Sequence, residues 1–119
     1  MGEDRNMVGS IYPKNRIYSF LGLATKAGKL ISGEESCEKA IKSGKACLII
    51  VAEDASDNTR KKFKDMCVYR KITISFFGEK ELLGRYTGKK MRAVVAILEK
   101  GFAERLSEMI GITDIACEG

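Results

Sequence analysis

Lys89, Lys90, Met91 and Arg92 set three cations around one flexible apolar side chain. That composition suits a nucleic-acid phosphate backbone beside an exposed base. The four lie between a short predicted helix and a buried strand, and loops mounted on a rigid sheet are where binding residues concentrate. A second candidate runs from Gly33 to Lys39. A helix beginning there would turn unpaired N–H groups and positive potential toward phosphate or base acceptors. Gly33 has no Cβ and admits close approach of a ligand to the backbone. Lys39 could reach a phosphate, and Glu34 or Glu35 could accept from the N1–H and N2–H₂ donors of guanine. Glu35 has a competing use. Ser32-Gly33-Glu34-Glu35 has the S-x-x-E form of a capping box, in which Ser32 caps and Glu35 reaches back to its backbone N–H. Glu34, Glu35 and Glu38 together would also repel phosphate. A further basic run, Arg60, Lys61, Lys62 and Lys64 with Arg70 and Lys71, reads as a solvated helix face.

Other chemistry is poorly supplied. The chain has no His, so it lacks the commonest general base and metal ligand at neutral pH, and no Ser–His or Cys–His nucleophile pair can form. No G-x-G-x-x-G or G-x-x-x-x-G-K-[ST] follows a strand, which leaves dinucleotide and P-loop sites without their phosphate cradle. Glu53, Asp54 and Asp57 offer oxygen ligands to Mg²⁺, but as acids in a strand-to-helix loop they read better as helix caps. Cys37, Cys47, Cys67 and Cys117 form no C-x-x-C pair and are expected as buried reduced thiols. A binding protein without catalysis, cofactor or metal is the expectation.

Regular elements must position these residues. Ile17, Phe20, Leu21, Ala24 and Ala27 share one helical face that Gly28 stops. A very short strand follows at Leu30–Ile31, then a helix with Cys37, Ala40 and Ile41 inward, ending at Gly44. The apolar run Ala46–Ala52 suits a strand buried on both faces. A third helix carries Phe63, Met66 and Cys67 on one side. Ile72–Phe77 reads as a strand, Glu79–Tyr86 as a short helix, Arg92–Leu98 as a strand and Gly101–Ile110 as the last helix. This alternation predicts an α/β fold: a three-layer α/β/α sandwich with a central four-stranded mixed sheet, the direction of the first strand being open.

The 119 residues are 45% hydrophobic and 31% charged, enough apolar content for one self-sufficient core. Pro13 separates a polar tail, residues 1–13, from a single domain over 14–119. The formal charge of +5 favours a polyanionic partner. No apolar run approaches a membrane span and no signal-peptide core opens the chain, so a cytoplasmic monomer is expected.

Three segments carry a resemblance: Leu21-Gly-Leu-Ala-Thr-Lys-Ala-Gly-Lys-Leu-Ile-Ser-Gly33, Lys39-Ala-Ile-Lys-Ser-Gly44 and Leu48-Ile-Ile-Val-Ala-Glu-Asp-Ala55. Glu81-Leu-Leu-Gly84 and Gly88-Lys-Lys-Met-Arg-Ala-Val-Val-Ala-Ile97 continue it, so it spans nearly the whole domain. In order and spacing these segments resemble the kink-turn RNA-binding ribosomal protein superfamily, and in particular its small bacterial members of the YlxQ type. The resemblance implies an α/β/α sandwich and RNA binding through a G-x-[Asn/Lys]-[Glu/Gln]-x-x-K signature at the second helix. Gly33 and Lys39 match that signature, whereas Glu35 stands where relatives have Asn or Lys and Ser36 where they have Glu or Gln. Relatives that bind the motif tightly are often apolar in the loop after Gly88, which is here Lys89-Lys90-Met91-Arg92 and like the more basic version of some ribosomal members. The implied partner is structured RNA, ribosomal or otherwise kink-turn-like, with ribosome-associated proteins beside it. A protein-interaction module on the same fold that has lost kink-turn recognition is the alternative.

Overall fold

The computed structural model describes residues 12–111. Helices and strands alternate as α1 (Lys14–Lys26), β1 (Leu30–Ser32), α2 (Glu34–Lys42), β2 (Leu48–Val51), α3 (Asp57–Arg70), β3 (Thr73–Phe76), α4 (Lys80–Tyr86), β4 (Val94–Ile97) and α5 (Lys100–Ile110). The four strands form one sheet in the order β1-β4-β2-β3. β4 runs antiparallel to both β1 and β2, and β2 runs parallel to β3, so the sheet is mixed as expected. α1 and α5 pack on one face with α4 against α1, while α2 and α3 cover the other. This is the predicted three-layer sandwich.

The central strands explain the core. All four residues of β2 and all four of β4 are buried, because helices lie over both faces. Runs of Leu, Ile and Val meet that environment without polar interruption. α1 and α2 end in the same way, with Gly28 and Gly44 at positive φ. Lys29 N–H then reaches Ala24 O at 2.9 Å, and Lys45 N–H reaches Ala40 O at 2.9 Å. These bonds satisfy carbonyls that each helix end would leave bare.

Several expectations need correction. The capping box does not form. Ser32 stays in β1 opposite Val95, and Gly33 N–H bonds Val94 O at 2.9 Å. The helix therefore starts one residue later than expected, with Gly33 as its N-cap and Cys37 N–H on Gly33 O. Glu35, exposed, makes no bond back to Ser32. Arg92 precedes β4 rather than opening it, and β2 is shorter than the apolar run that predicted it. Of the thiols, Cys37 and Cys67 are buried and free, but Cys47 is exposed because it sits just before β2 at the sheet's end. Cys117 lies outside the described residues, as does most of the predicted tail. Its last two residues do take part: Tyr12 lies under the Arg105 guanidinium at 5.4 Å, and Pro13 caps α1. Among the described residues no helix is long and apolar enough to cross a membrane.

Candidate nucleic-acid interface

Two segments distant in the chain meet at Arg92. Its Nε donates to Ser32 Oγ at 3.1 Å, tying the loop before β4 to the strand end that feeds α2. The antiparallel β1–β4 pairing makes this possible, since Ser32 lies opposite Val95, three residues beyond Arg92. Gly33 follows at φ 102°, a conformation only glycine adopts without strain, and a Cβ there would approach Arg92 Nε to 4.0 Å.

The loop itself is fastened to α4. Lys89 N–H bonds Gly84 O at 2.7 Å and Arg92 N–H bonds Lys80 O at 3.1 Å. Gly84 sits inside α4 for a steric reason. A Cβ added there would lie 2.1 Å from Lys90 O and 2.9 Å from Met91 Cα, so only glycine lets the loop backbone close on the helix. Thr87, buried, returns its hydroxyl to Leu83 O at 2.7 Å, completing the turn into Gly88. The side chains of Lys89, Lys90 and Met91 are left exposed.

A cleft opens on each side of Arg92. One, about 500 Å³, is lined by Ser32, Ser36, Gly88, Lys89 and Arg92 over a floor that includes Ile31. The other, about 360 Å³, is lined by Gly33, Glu34, Thr59, Lys80, Met91 and Arg92. Gly33, Ser36, Lys89, Met91 and Arg92 are thus brought together. Glu35, Lys39 and Lys90 are exposed and line neither cleft. Ser32, Lys80 and Thr59 also line these clefts. The local pattern offers Ser32 only as a cap, and nothing in it marks Lys80 or Thr59.

One acid of the cluster is neutralised and a second is hydrogen-bonded. Thr59 Oγ1 donates to Glu34 Oε2 at 3.0 Å, and Ser56, the N-cap of α3, donates its hydroxyl to Thr59. Glu38 pairs with Lys42 at 3.0 Å and Lys62 at 3.1 Å, which hold its carboxyl below the usual glutamate range. Glu35 remains as the acid without a partner among the described residues. Lys89, Lys90 and Lys39 likewise have no ion pair there, so their charge is available. Two of the three acids considered for Mg²⁺ are engaged locally, Asp54 Oδ1 accepting from Lys80 N–H at 2.9 Å and Asp57 pairing with Arg60 at 2.7 Å. Among the described residues no group of three or more Cys, Asp or Glu is placed to hold a metal ion.

Comparison with known proteins places this architecture. The model of the ribosomal protein L7Ae/L30e/S12e/Gadd45 family matches residues 15–107. The chain is 41% identical over 93 residues to the RNA-binding protein YlxQ of Bacillus subtilis (strain 168), covering 78% of this chain and 93% of that protein. A solved structure of a protein of unknown function from Bacillus halodurans C superposes with a TM-score of 0.77 at 37% identity, covering 80% of this chain and 96% of that one. The Giardia lamblia 15.5kD RNA binding protein shares the fold, with a TM-score of 0.71 at 21% identity over 85% of this chain and 87% of that one.

Proposed function

The chain belongs to the ribosomal protein L7Ae/L30e/S12e/Gadd45 family, and on that premise we propose that it is a non-enzymatic RNA-binding protein of the ribosomal type. Its contact surface joins the Gly33 end of α2 to the loop from Gly88 to Arg92. The Arg92–Ser32 hydrogen bond supports this reading most directly, because it makes one surface of two segments sixty residues apart. Gly33 admits the RNA backbone, and Lys39, Lys89, Lys90 and Arg92 supply phosphate contacts. Met91, 55% exposed, offers an apolar platform for an unstacked base. Glu35 and Ser36 meet base edges. The partner is structured RNA, kink-turn-like and ribosomal or of another ribonucleoprotein, with ribosome-associated proteins nearby in the cytoplasm.

A protein-interaction module on this fold would use the acidic cluster of Glu34, Glu35 and Glu38. Only Glu38 is neutralised, by two lysines, while Glu34, bonded to a neutral hydroxyl, and Glu35 keep their charge. These two carboxylates stand against four cations of the same surface, Lys39, Lys89, Lys90 and Arg92, so the balance of charge favours RNA.

The test compares a kink-turn RNA with a control whose sheared G·A pairs are replaced by Watson–Crick pairs, at roughly 0.15 M salt. Preference for the kinked RNA is expected. Equal weak binding to both would remove kink-turn recognition, and binding to neither would remove RNA.

A further inference from the structure

The far edge of the sheet is built for another chain. β3 ends the strand order, and among the described residues nothing pairs with its outer side. Its orientation is fixed by the neighbour: Phe77 N–H bonds Val51 O at 3.0 Å, within a parallel register that sets Val51 opposite Phe76 and Ile49 opposite Ile74. Backbone polar groups alternate along a strand. Those of Ser75 and Phe77 therefore face β2, while the N–H and C=O of Ile74 and Phe76 turn outward.

Beside this edge lies a groove of about 310 Å³ lined by Phe76 of β3 and by Asp57, Arg60, Lys61 and Lys64 of α3. Phe76 is half-buried, so its ring gives the groove an apolar wall. The lining carries three cations against one carboxylate. Lys64 has no ion pair among the described residues, and the side chain of Lys61 is 76% exposed although it bonds Asp65. Arg60 spends one terminal nitrogen on Asp57, and its Nε is buried without an acceptor. The groove holds excess positive charge next to an open strand edge.

We propose that an extended, acidic segment of a partner protein docks here, pairing with Ile74 and Phe76 as a fifth strand. Main-chain bonds to the edge would supply affinity, and alternate side chains would select the partner. One apolar side chain would lie on Phe76 and carboxylates would meet Lys61, Lys64 and Arg60. The alternating donors and acceptors of the edge suit a peptide, whereas a nucleic acid would meet two outward carbonyls with its phosphates. A second copy of this chain is disfavoured by charge, since edge-to-edge pairing would set two such cationic triads side by side. The surface is separate from the Arg92 clefts, with which it shares no lining residue.

The experiment titrates the whole protein with a seven-residue peptide alternating Glu and Val, and with a control alternating Lys and Val, while amide hydrogen exchange is read by NMR. The Glu peptide should slow exchange at the Ile74 and Phe76 amides, and the Lys peptide should not. Reversing charge at the two exposed lysines, Lys61→Glu with Lys64→Glu, should weaken the Glu peptide about tenfold or more while preference for kinked RNA is retained. Equal protection by both peptides would overturn the charge argument. Shifts confined to lysine side chains, with no protection at Ile74 and Phe76, would overturn strand addition.

Discussion

Arg92 Nε stands 3.1 Å from Ser32 Oγ, joining the basic loop to the strand that launches α2. The two residues divide charge from geometry. Ser32→Ala removes an acceptor and no charge, so it should cost about 1 kcal/mol of RNA affinity and leave the salt dependence intact. Arg92→Gln should lower the slope of log affinity against log salt by roughly one. Titrations at several salt concentrations check this, and matching slopes in both variants would mean Arg92 meets no phosphate.

Lys89 and Lys90 are exposed and have no ion pair among the described residues. Each alanine variant should weaken binding to all RNAs alike and reduce the salt slope by roughly one. A variant whose slope matches the parent places that lysine off the surface.

Gly84 lies under the loop, with space for a hydrogen but none for a methyl group. Gly84→Ala gains helix propensity, yet it must push Lys90 and Met91 away from α4. Overpacking of this kind costs roughly 1–3 kcal/mol, against a propensity gain of about 1 kcal/mol. Thermal unfolding should show lower stability, and RNA affinity should fall further than the stability loss explains. A variant with unchanged melting temperature and binding would mean the loop can move aside freely.

Glu35 and Ser36 replace residues that the family signature gives as Asn or Lys and Glu or Gln. Glu35→Asn with Ser36→Glu restores an amide donor and a long acceptor at an exposed helix start. Selectivity for the kinked RNA over its Watson–Crick control should rise about tenfold, as expected for a gained base contact worth 1–3 kcal/mol. No gain would mean these positions do not face base edges.

Cys37 and Cys67 are buried between α2, α3 and the sheet, and burial pushes both thiols up to about 12. Ionisation thus favours the unfolded chain. The stability held by the neutral thiols is complete below the ordinary value of 9.0 and is lost as pH climbs toward about 12. In a Cys117→Ser background, a thiol reagent at neutral pH should titrate Cys47 alone until denaturant is added. Rapid reaction of a second thiol would contradict the packing. The loss of stability above pH 9 should be shallower in Cys37→Ala than in its parent.

Much of the fold was legible locally. The period of Ile17, Leu21 and Ala24 and the buried runs of β2 and β4 each answer to a strong one-dimensional signal, apolar spacing bounded by glycine. The order and spacing of those elements also carried the family resemblance. Where local signals competed, the tertiary structure decided. Ser32-x-x-Glu35 satisfies a capping pattern, but the ladder to β4 holds Ser32 in strand geometry and moves the cap to Gly33. Cys47 has the composition of a core residue and lies outside the core because β2 begins one residue later.

The candidate site divides in the same way. Basic composition at Lys89-Lys90-Met91-Arg92 and a glycine ahead of α2 were visible in the residues themselves. Their union was not, because it depends on β1 running antiparallel to β4, and a three-residue strand carries no signal of its direction. The fate of Glu34 depends likewise on Thr59, twenty-five residues away on another helix. Sequence alone determined which elements form and which charges they carry, since those follow from short-range periodicity and side-chain type. Which charges stay free and which segments share a surface was decided by strand pairing and helix packing, contacts between residues far apart in the chain.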